Sequence, residues 1–528
     1  MATYASRPAW DLRARVSTSA WVSVSLGLGA LVAVSLLLRS GELSRGFWID
    51  EGLSIGIADR PLTDIPGILR LDGSPPVYYG LLHVWIGLVG RGEEATHGLS
   101  LALALLAVPI AWWAARVAFG SRAGWIAAAL TALNPFLTEY AQETRMYALI
   151  VVLGMIACGT FLRAFATDDE RPSLWWAGGF SLALTTMLYT HNWALFFGIA
   201  CGVAWVVTIA LSPSGLRRRR RRDGLIAFGA TALLYLPWLP TLLFQAAHTG
   251  APWSTRPTFS ELAEVPQQLL GVTAGVVLLL VAGSGLASLA AGRRGRELTA
   301  PARAAVALAL LAVLTIVIAF AASQLSPAWA MRYLAVGLAP ALLLAAAGLA
   351  AARGIGLAAL VLVGLFWASD APPKRKSNVR DVAQSITPSV APGDVVVSTW
   401  PEQIPVLSYY LPEGLRYATV WGPVSDLGVT DWRDGVERMG ATSAETDLKP
   451  ILDALPEGRR LVLVTPIVYS LGRWKAPWTE LIRLRTEEYG QYVTNDPRFQ
   501  VISRNPPSEF PRRRTAVQAT VLLKTPGR

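Results

Sequence analysis

Long apolar stretches recur in series along the first 370 residues, and no other feature constrains the fold as strongly. They cover roughly residues 19–38, 96–116, 123–140, 146–165, 173–190, 193–211, 224–243, 267–291, 303–323, 333–352 and 354–369. Most reach about 18–22 residues, enough for a helix to cross a hydrocarbon core of about 30 Å. One such stretch alone could be a buried core helix. About eleven in series predict a polytopic α-helical membrane protein lying in the lipid bilayer. The chain is 53% hydrophobic and only 16% charged, against about 25% charged in soluble domains. Its two cysteines, Cys158 and Cys201, both fall in apolar segments. They read as small core residues, not as a disulfide or a metal site.

The net charge is +11, and the basic residues fall mainly between apolar segments. Arg7, Arg13 and Arg15 precede the first. Arg116 and Arg122, Arg163 and Arg171, the run Arg217 to Arg222, and Arg293, Arg294, Arg296 and Arg303 occupy later loops. All fall on one side if the spans alternate, and the positive-inside rule makes that side the cytoplasm. The six-arginine run is therefore read as a topology signal, and no nucleic-acid partner is expected. The first stretch lacks a small-residue cleavage site and reads as an uncleaved signal anchor. The excess of Arg over Lys and the abundant Ala point to a GC-rich bacterial genome, so the expected location is a bacterial plasma (inner) membrane.

An odd number of spans puts the C-terminus outside. Composition shifts after Asp370, at Pro372-Pro373-Lys374-Arg375-Lys376. We therefore divide the chain into a membrane domain, 1–370, and a soluble extracytoplasmic domain, 371–528. Strand-like runs at 394–399, 415–421, 461–465, 499–503 and 516–523 alternate with helix-like runs at 379–386, 448–455 and 478–492. This pattern predicts a small α/β domain. The first outer loop, 39–95, carries an apolar stretch at 77–89 that is too short to span and suits the interface. The turn Asp72-Gly73-Ser74-Pro75-Pro76 precedes it, and Tyr78, Tyr79 and His83 lie within it.

The outer loops also collect polar groups. Asp50-Glu51 lies just beyond the first span, where adjacent carboxylates are costly to hold near lipid. If residues 139 onward are helical, Glu139, Glu143 and Tyr147 share a face. Arg145, His191, Arg332 and Tyr333 fall at the same boundary. Arginine grips phosphate bidentately, and a carboxylate takes a proton from an acceptor hydroxyl. The set suits a lipid phosphate carrying a transferable group. Carboxylates and histidines of this kind also bind divalent cations, but neighbouring residues point apart, so Asp50-Glu51 is not by itself a chelate. No cofactor is assigned.

At these residues the chain resembles the GT-C glycosyltransferases of the family 39 type, which include protein O-mannosyltransferases and lipid A aminoarabinose transferases. The matching pieces are Phe47-Trp48-Ile49-Asp50-Glu51, Asp72-Gly73-Ser74-Pro75-Pro76-Val77-Tyr78-Tyr79 and Tyr140-Ala141-Gln142-Glu143-Thr144-Arg145-Met146-Tyr147. Tyr189-Thr190-His191, Leu236-Pro237-Trp238-Leu239-Pro240 and Arg332-Tyr333 follow in order. Relatives often carry Arg where His97 stands here. The resemblance implies an inverting transferase that moves a sugar from a polyprenyl-phosphate donor to a hydroxyl of a glycan, lipid or protein. It implies Asp50 as base, with Glu51 sharing that role or orienting the sugar. Glu143, Arg145, Tyr147, His191, Arg332, Tyr333 and a protonated His97 would serve the donor phosphate and sugar. Asp72, Tyr78, Tyr79 and His83 would serve the acceptor or the loop. The competing class is a transporter or flippase of a lipid-linked substrate, which normally places its carboxylates near the midplane.

Overall fold

The computed structural model describes residues 18–168, 174–294, 297–369, 375–468, 472, 474–505 and 515–526. Arg7, Arg13, Arg15, Arg171 and Arg296 of the basic loops lie outside these residues, as do Asp370, Pro372, Pro373 and Lys374.

Helix covers most of the described residues in each predicted span, with breaks at Asn134 and Gly271. Among the described residues seven helical stretches are long and apolar enough to cross a bilayer: Trp21–Arg39, Glu93–Phe119, Tyr147–Ala166, Ser214–His248, Val272–Ala290, Ala300–Leu325 and Met331–Ala351. The remaining predicted spans are shorter helices, including Leu174–Leu188, Ala194–Ala210 and Arg353–Ala368. The stretch 123–140 is broken by its own sequence. Ser121–Leu133 ends before Asn134, whose side chain accepts from the Leu137 N–H, and Pro135 opens a second helix, Pro135–Tyr140. This is an N-cap followed by proline at the first helical position.

Three basic loops meet at one end of the bundle. The Arg220 and Arg303 guanidinium groups, both buried, converge on Asp168. The Asp50 region lies at the opposite end, beneath the C-terminal domain.

That domain is a six-stranded mixed sheet with helices, as the alternating pattern predicts. Its strands are β1 (Val395–Ser398), β2 (Arg416–Thr419), β3 (Gly422–Pro423), β4 (Arg460–Pro466), β5 (Phe499–Arg504) and β6 (Val517–Lys524), in the order β3-β2-β1-β4-β6-β5. β1 runs parallel to β2 and β4, and the other pairings are antiparallel. The central strand Val395-Val396-Val397 is buried on both faces, which is the usual state of a parallel strand covered by helices.

The C-terminal core extends into the 39–95 loop. Phe47, Trp48, Ile49, Leu53 and Ile55 are buried in one cluster with Val395, Val406, Leu407 and Trp478. Removing these five side chains from water contributes on the order of 10 kcal/mol before ordering costs. The Ile49–Ala58 helix approaches the domain through glycine. A Cβ on Gly56 would sit 2.0 Å from the Gly428 carbonyl oxygen, so only glycine permits this packing. Arg380 and the Tyr410 hydroxyl both bond Glu93, at 3.1 and 2.7 Å, and tie the domain to the start of the second span.

Glu402 lies just beyond β1, fully surrounded, with its Oε1 accepting from Trp478 Nε1 at 2.8 Å. Burial pushes its carboxyl up to about 7. A carboxyl raised above its unfolded value binds its proton more tightly when folded. Its stabilising contribution is full below about pH 4.5 and is lost as pH rises through about 7. At 1.36 kcal/mol per pH unit this group removes about 3 kcal/mol over that window. Glu402→Gln is expected to flatten that part of a thermal-stability profile measured from pH 4.5 to 7.5 (a window set by the shift just described).

Candidate active site

The Asp50-Glu51 pair is divided by the helix that carries it. Both residues lie in the first turn of Ile49–Ala58, and consecutive helical side chains leave the axis roughly 100° apart. Asp50 faces a cavity. Glu51 faces the protein interior and is fully buried.

The Asp50 cavity encloses about 300 Å³ and is lined by Asp72, Arg145, His191, Arg332 and Tyr333 among others. Asp50 Oδ2 lies 3.9 Å from Arg145 Nε and 3.5 Å from Arg332 Nε, and none of these three atoms has a hydrogen-bond partner. The carboxylate is thus held between two cations without being consumed by either. Arg145 is fixed from behind by Ser54 Oγ at 2.9 Å, with the Tyr79 hydroxyl and the Asp50 carbonyl at 3.3 Å. Arg332 lies over the rings of Trp253, Tyr333 and Trp48, at 4.8, 5.3 and 5.6 Å. Tyr147 backs the cavity, its ring 6.0 Å from His191 and 6.5 Å from Tyr333.

His191 enters as a neutral ring. Burial, with the Arg145 and Arg332 charges adding to it, drives its pKa down to about 3. The Trp193 N–H donates to His191 Nδ1 at 3.1 Å, so the ring proton resides on Nε2. His191 therefore offers a neutral N–H.

Glu51 departs from its expected catalytic role. Its Oε1 accepts from the Thr144 N–H at 2.8 Å and lies 2.7 Å from His97 Nε2, while its Oε2 accepts from the Trp48 N–H at 3.2 Å. Burial alone would raise its carboxyl; His97, Arg45 and the Thr144 N–H outweigh it and hold the group below the usual range. His97 Nδ1 faces the Leu43 carbonyl at 2.6 Å, so that nitrogen carries a proton. With both nitrogens occupied, His97 braces Glu51 and does not line the Asp50 cavity.

Glu143 also departs from expectation. The helix drawn through 139–147 ends at Tyr140 and restarts at Tyr147, with turns between. Ser100 Oγ donates to the Glu143 carbonyl at 2.5 Å, as does the Arg145 N–H at 2.7 Å. These bonds turn the Glu143 side chain inward. There its Oε1 accepts from Trp48 Nε1 at 3.0 Å and its Oε2 from Lys376 Nζ at 2.5 Å.

Lys376 is a residue the sequence reading passed over. It arrives from the start of the C-terminal domain, lies 3.3 Å from Glu139, and sits 5.1 and 5.0 Å from the Trp48 and Tyr140 rings. Its only sequence signal is the basic run after the last span. With Trp48, Glu139, Gln267, Gln268 and Arg332 it lines a second cavity of about 640 Å³. Arg332 is common to both cavities. The helix Val265–Leu270 turns Gln267 and Gln268 toward this cavity, while Leu269 and Leu270 line an apolar groove of about 320 Å³ with Ile316, Val317 and Leu344.

Among the remaining candidates, Asp72 ends the Ile65–Asp72 helix, where Gly73 at φ 95° turns the chain into the cavity wall. Tyr78 is fully buried behind Tyr79. His83 bonds the Ala58 carbonyl at 2.8 Å and lies outside both cavities. Among the described residues no group of three or more His, Cys, Asp or Glu side chains is arranged to hold a metal ion.

A bundle of apolar helices, a loop helix carrying the acidic residue at one end, and a trailing α/β domain make up a fold that recurs in solved structures. The likeness is to particular solved structures. ArnT from Cupriavidus metallidurans in the apo state superposes with a TM-score of 0.61 at 14% identity, over 96% of this chain and 98% of that one. The same protein bound to undecaprenyl phosphate gives 0.59, also at 14% identity and over the same shares. The archaeal oligosaccharyltransferase AglB from Archaeoglobus fulgidus, in complex with an inhibitory peptide and a dolichol-phosphate, gives 0.53 at 11% identity, over 84% of this chain and 70% of that one. The sequence matches no protein-family model and no curated protein.

Proposed function

We propose that this chain is an inverting membrane glycosyltransferase that moves a sugar from a polyprenyl-phosphate donor to an acceptor hydroxyl. The observation that carries the reading is Asp50 Oδ2, without a hydrogen-bond partner, between Arg145 and Arg332 in one cavity. Asp50 takes the proton of the acceptor hydroxyl. The acceptor oxygen attacks C1 of the sugar as the bond from C1 to the phosphate oxygen breaks. The departing lipid phosphate is already ionised, so its growing charge is met by the two guanidinium groups and needs no acid. The neutral His191 contributes an N–H donor. The apolar groove beside Val265–Leu270 suits an isoprenoid tail. The solved structure of similar fold that carries undecaprenyl phosphate supports a lipid-phosphate donor.

In this reading residues 1–370 form the catalytic membrane domain, with the 39–95 loop and the 371–528 domain on the extracytoplasmic face of a bacterial inner membrane. The acceptor is a glycan, lipid or protein hydroxyl. A transporter would hold its charges near the midplane, whereas Asp50, Arg145 and Arg332 gather at one end of the bundle beneath the C-terminal domain.

The test is transfer from polyprenyl-phosphoryl sugars by membranes carrying the protein. Arg332→Ala removes a charged contact worth about 1.5–3 kcal/mol, so donor use is expected to weaken roughly 10- to 100-fold. Substitutions in the Arg217 to Arg222 run should leave donor use unchanged. Equal effects from the two regions would remove Arg332 from phosphate binding.

A further inference from the structure

We infer that Asn192, Trp193 and Gln245 form the sugar-reading wall of the Asp50 cavity, selecting a ring that presents at least two hydroxyl donors. The inference rests on the transferase reading and deepens it.

All three residues line the same cavity as Asp50, Arg145 and Arg332. Gln245 is 2% exposed. Its Nε2 donates to the Leu69 carbonyl at 2.8 Å and to the Ser74 carbonyl at 3.2 Å. Carbonyl oxygens only accept, so the amide cannot be flipped without setting oxygen against oxygen. Its Oε1 is left buried and without a partner. Asn192 repeats the arrangement. Its Nδ2 donates to the Gly73 carbonyl at 3.1 Å, and its Oδ1 is buried and unpartnered. Trp193 Nε1 is a third buried polar atom without a partner.

The backbone makes this orientation firm. Gly73 holds φ at 95°, and a Cβ there would come within 2.8 Å of Thr249 Oγ1. The Leu69 to Ser74 segment is thereby pressed against the helix that carries Gln245, and its carbonyls hold both amides in register.

The chemistry of the wall excludes two of the three parts of the donor. A phosphate offers only acceptors and would oppose Asn192 Oδ1 and Gln245 Oε1. An isoprenoid tail would leave all three atoms unpaired, and buried polar atoms are costly when unpaired. A sugar hydroxyl both donates and accepts. Two hydroxyls can donate to the amide oxygens while an oxygen accepts from Trp193 Nε1. The cavity thus divides into a phosphate end at the arginines and a sugar end at the amides. A pocket built this way rejects an analogue lacking the matching hydroxyl, because the wall is then left unpaired.

The experiment uses the full chain in detergent micelles, with undecaprenyl phosphate and undecaprenyl-phosphoryl mannose, glucose and arabinose as probes. Gln245→Met and Asn192→Ala are compared with the unaltered protein by equilibrium binding. Each variant is expected to weaken the best-bound sugar lipid about tenfold or more and to leave undecaprenyl phosphate within about twofold. Equal weakening of the sugar-bearing and sugar-free lipids would make the residues structural and overturn the inference. Unchanged binding of every sugar lipid would overturn it by placing the sugar elsewhere. If Gln245→Met fails to fold, Asn192→Ala decides, since its side chain is only partly buried. Unaltered protein that binds undecaprenyl phosphate but no sugar lipid more tightly would overturn the wall alone. Protein that binds none of the four lipids would overturn the transferase reading as well.

Discussion

Asp50→Asn is expected to lower sugar transfer by about 10²–10⁴-fold, the range for removing a positioned general base, while lipid-phosphate binding survives. The amide keeps the shape of the carboxylate but cannot take the acceptor proton. It also removes the charge that Arg145 and Arg332 face at 3.9 and 3.5 Å. Undecaprenyl phosphate should therefore bind the variant at least as well as the unaltered protein. Glu51→Gln should differ in kind. It disturbs a carboxyl bonded to His97, Thr144 and Trp48, so its effect should appear in stability before rate. Full transfer by Asp50→Asn in isolated membranes would remove Asp50 from the base role.

Lys376→Met should give the largest loss of stability. It strips the partner from Glu143, which is fully buried and bonded to Lys376 at 2.5 Å. Breaking a buried pair from one side costs about 3–5 kcal/mol, because the remaining charge has no compensation. Burial already raises the Glu143 carboxyl, with Lys376 acting against that rise, so the variant should take up a proton there. Its deficit should shrink toward acid pH. The double variant Lys376→Met with Glu143→Gln should recover most of the loss, read by thermal unfolding in micelles. A double variant as unstable as the single one would show that the pair is not the cause.

The helical membrane architecture and the C-terminal strands were legible because hydrophobic periodicity reports them directly. The gathering of Asp50, Arg145 and Arg332 in one cavity was legible because charges beside a bilayer are conspicuous. The site failed to be legible where three dimensions decide. The different surroundings of Asp50 and Glu51 depend on the helical turn between adjacent residues, which spacing does not reveal. Glu143 was placed on a helix face because the pattern through 139–147 allowed one, yet Ser100 and the Arg145 N–H hold that segment in turns. Lys376 lies more than 200 residues from its partner, beyond any local pattern. Gln245 and Asn192 look like ordinary polar residues until their amide hydrogens are seen to be occupied and their oxygens are not.

The sharing of one hydrophobic cluster between the Ile49–Ala58 helix and the C-terminal strands has a consequence for biogenesis. The residues around Asp50 leave the ribosome well before the strands that bury their neighbours. The Trp48 and Leu53 side chains must wait for most of the chain before they find their packing partners. Competence is therefore acquired only after these strands have been made and have packed over the Ile49–Ala58 helix. A prematurely terminated chain would carry its membrane helices and its acidic residue yet lack the scaffold that aims it. Unassembled copies in the membrane should thus be inert toward any lipid-linked sugar they meet.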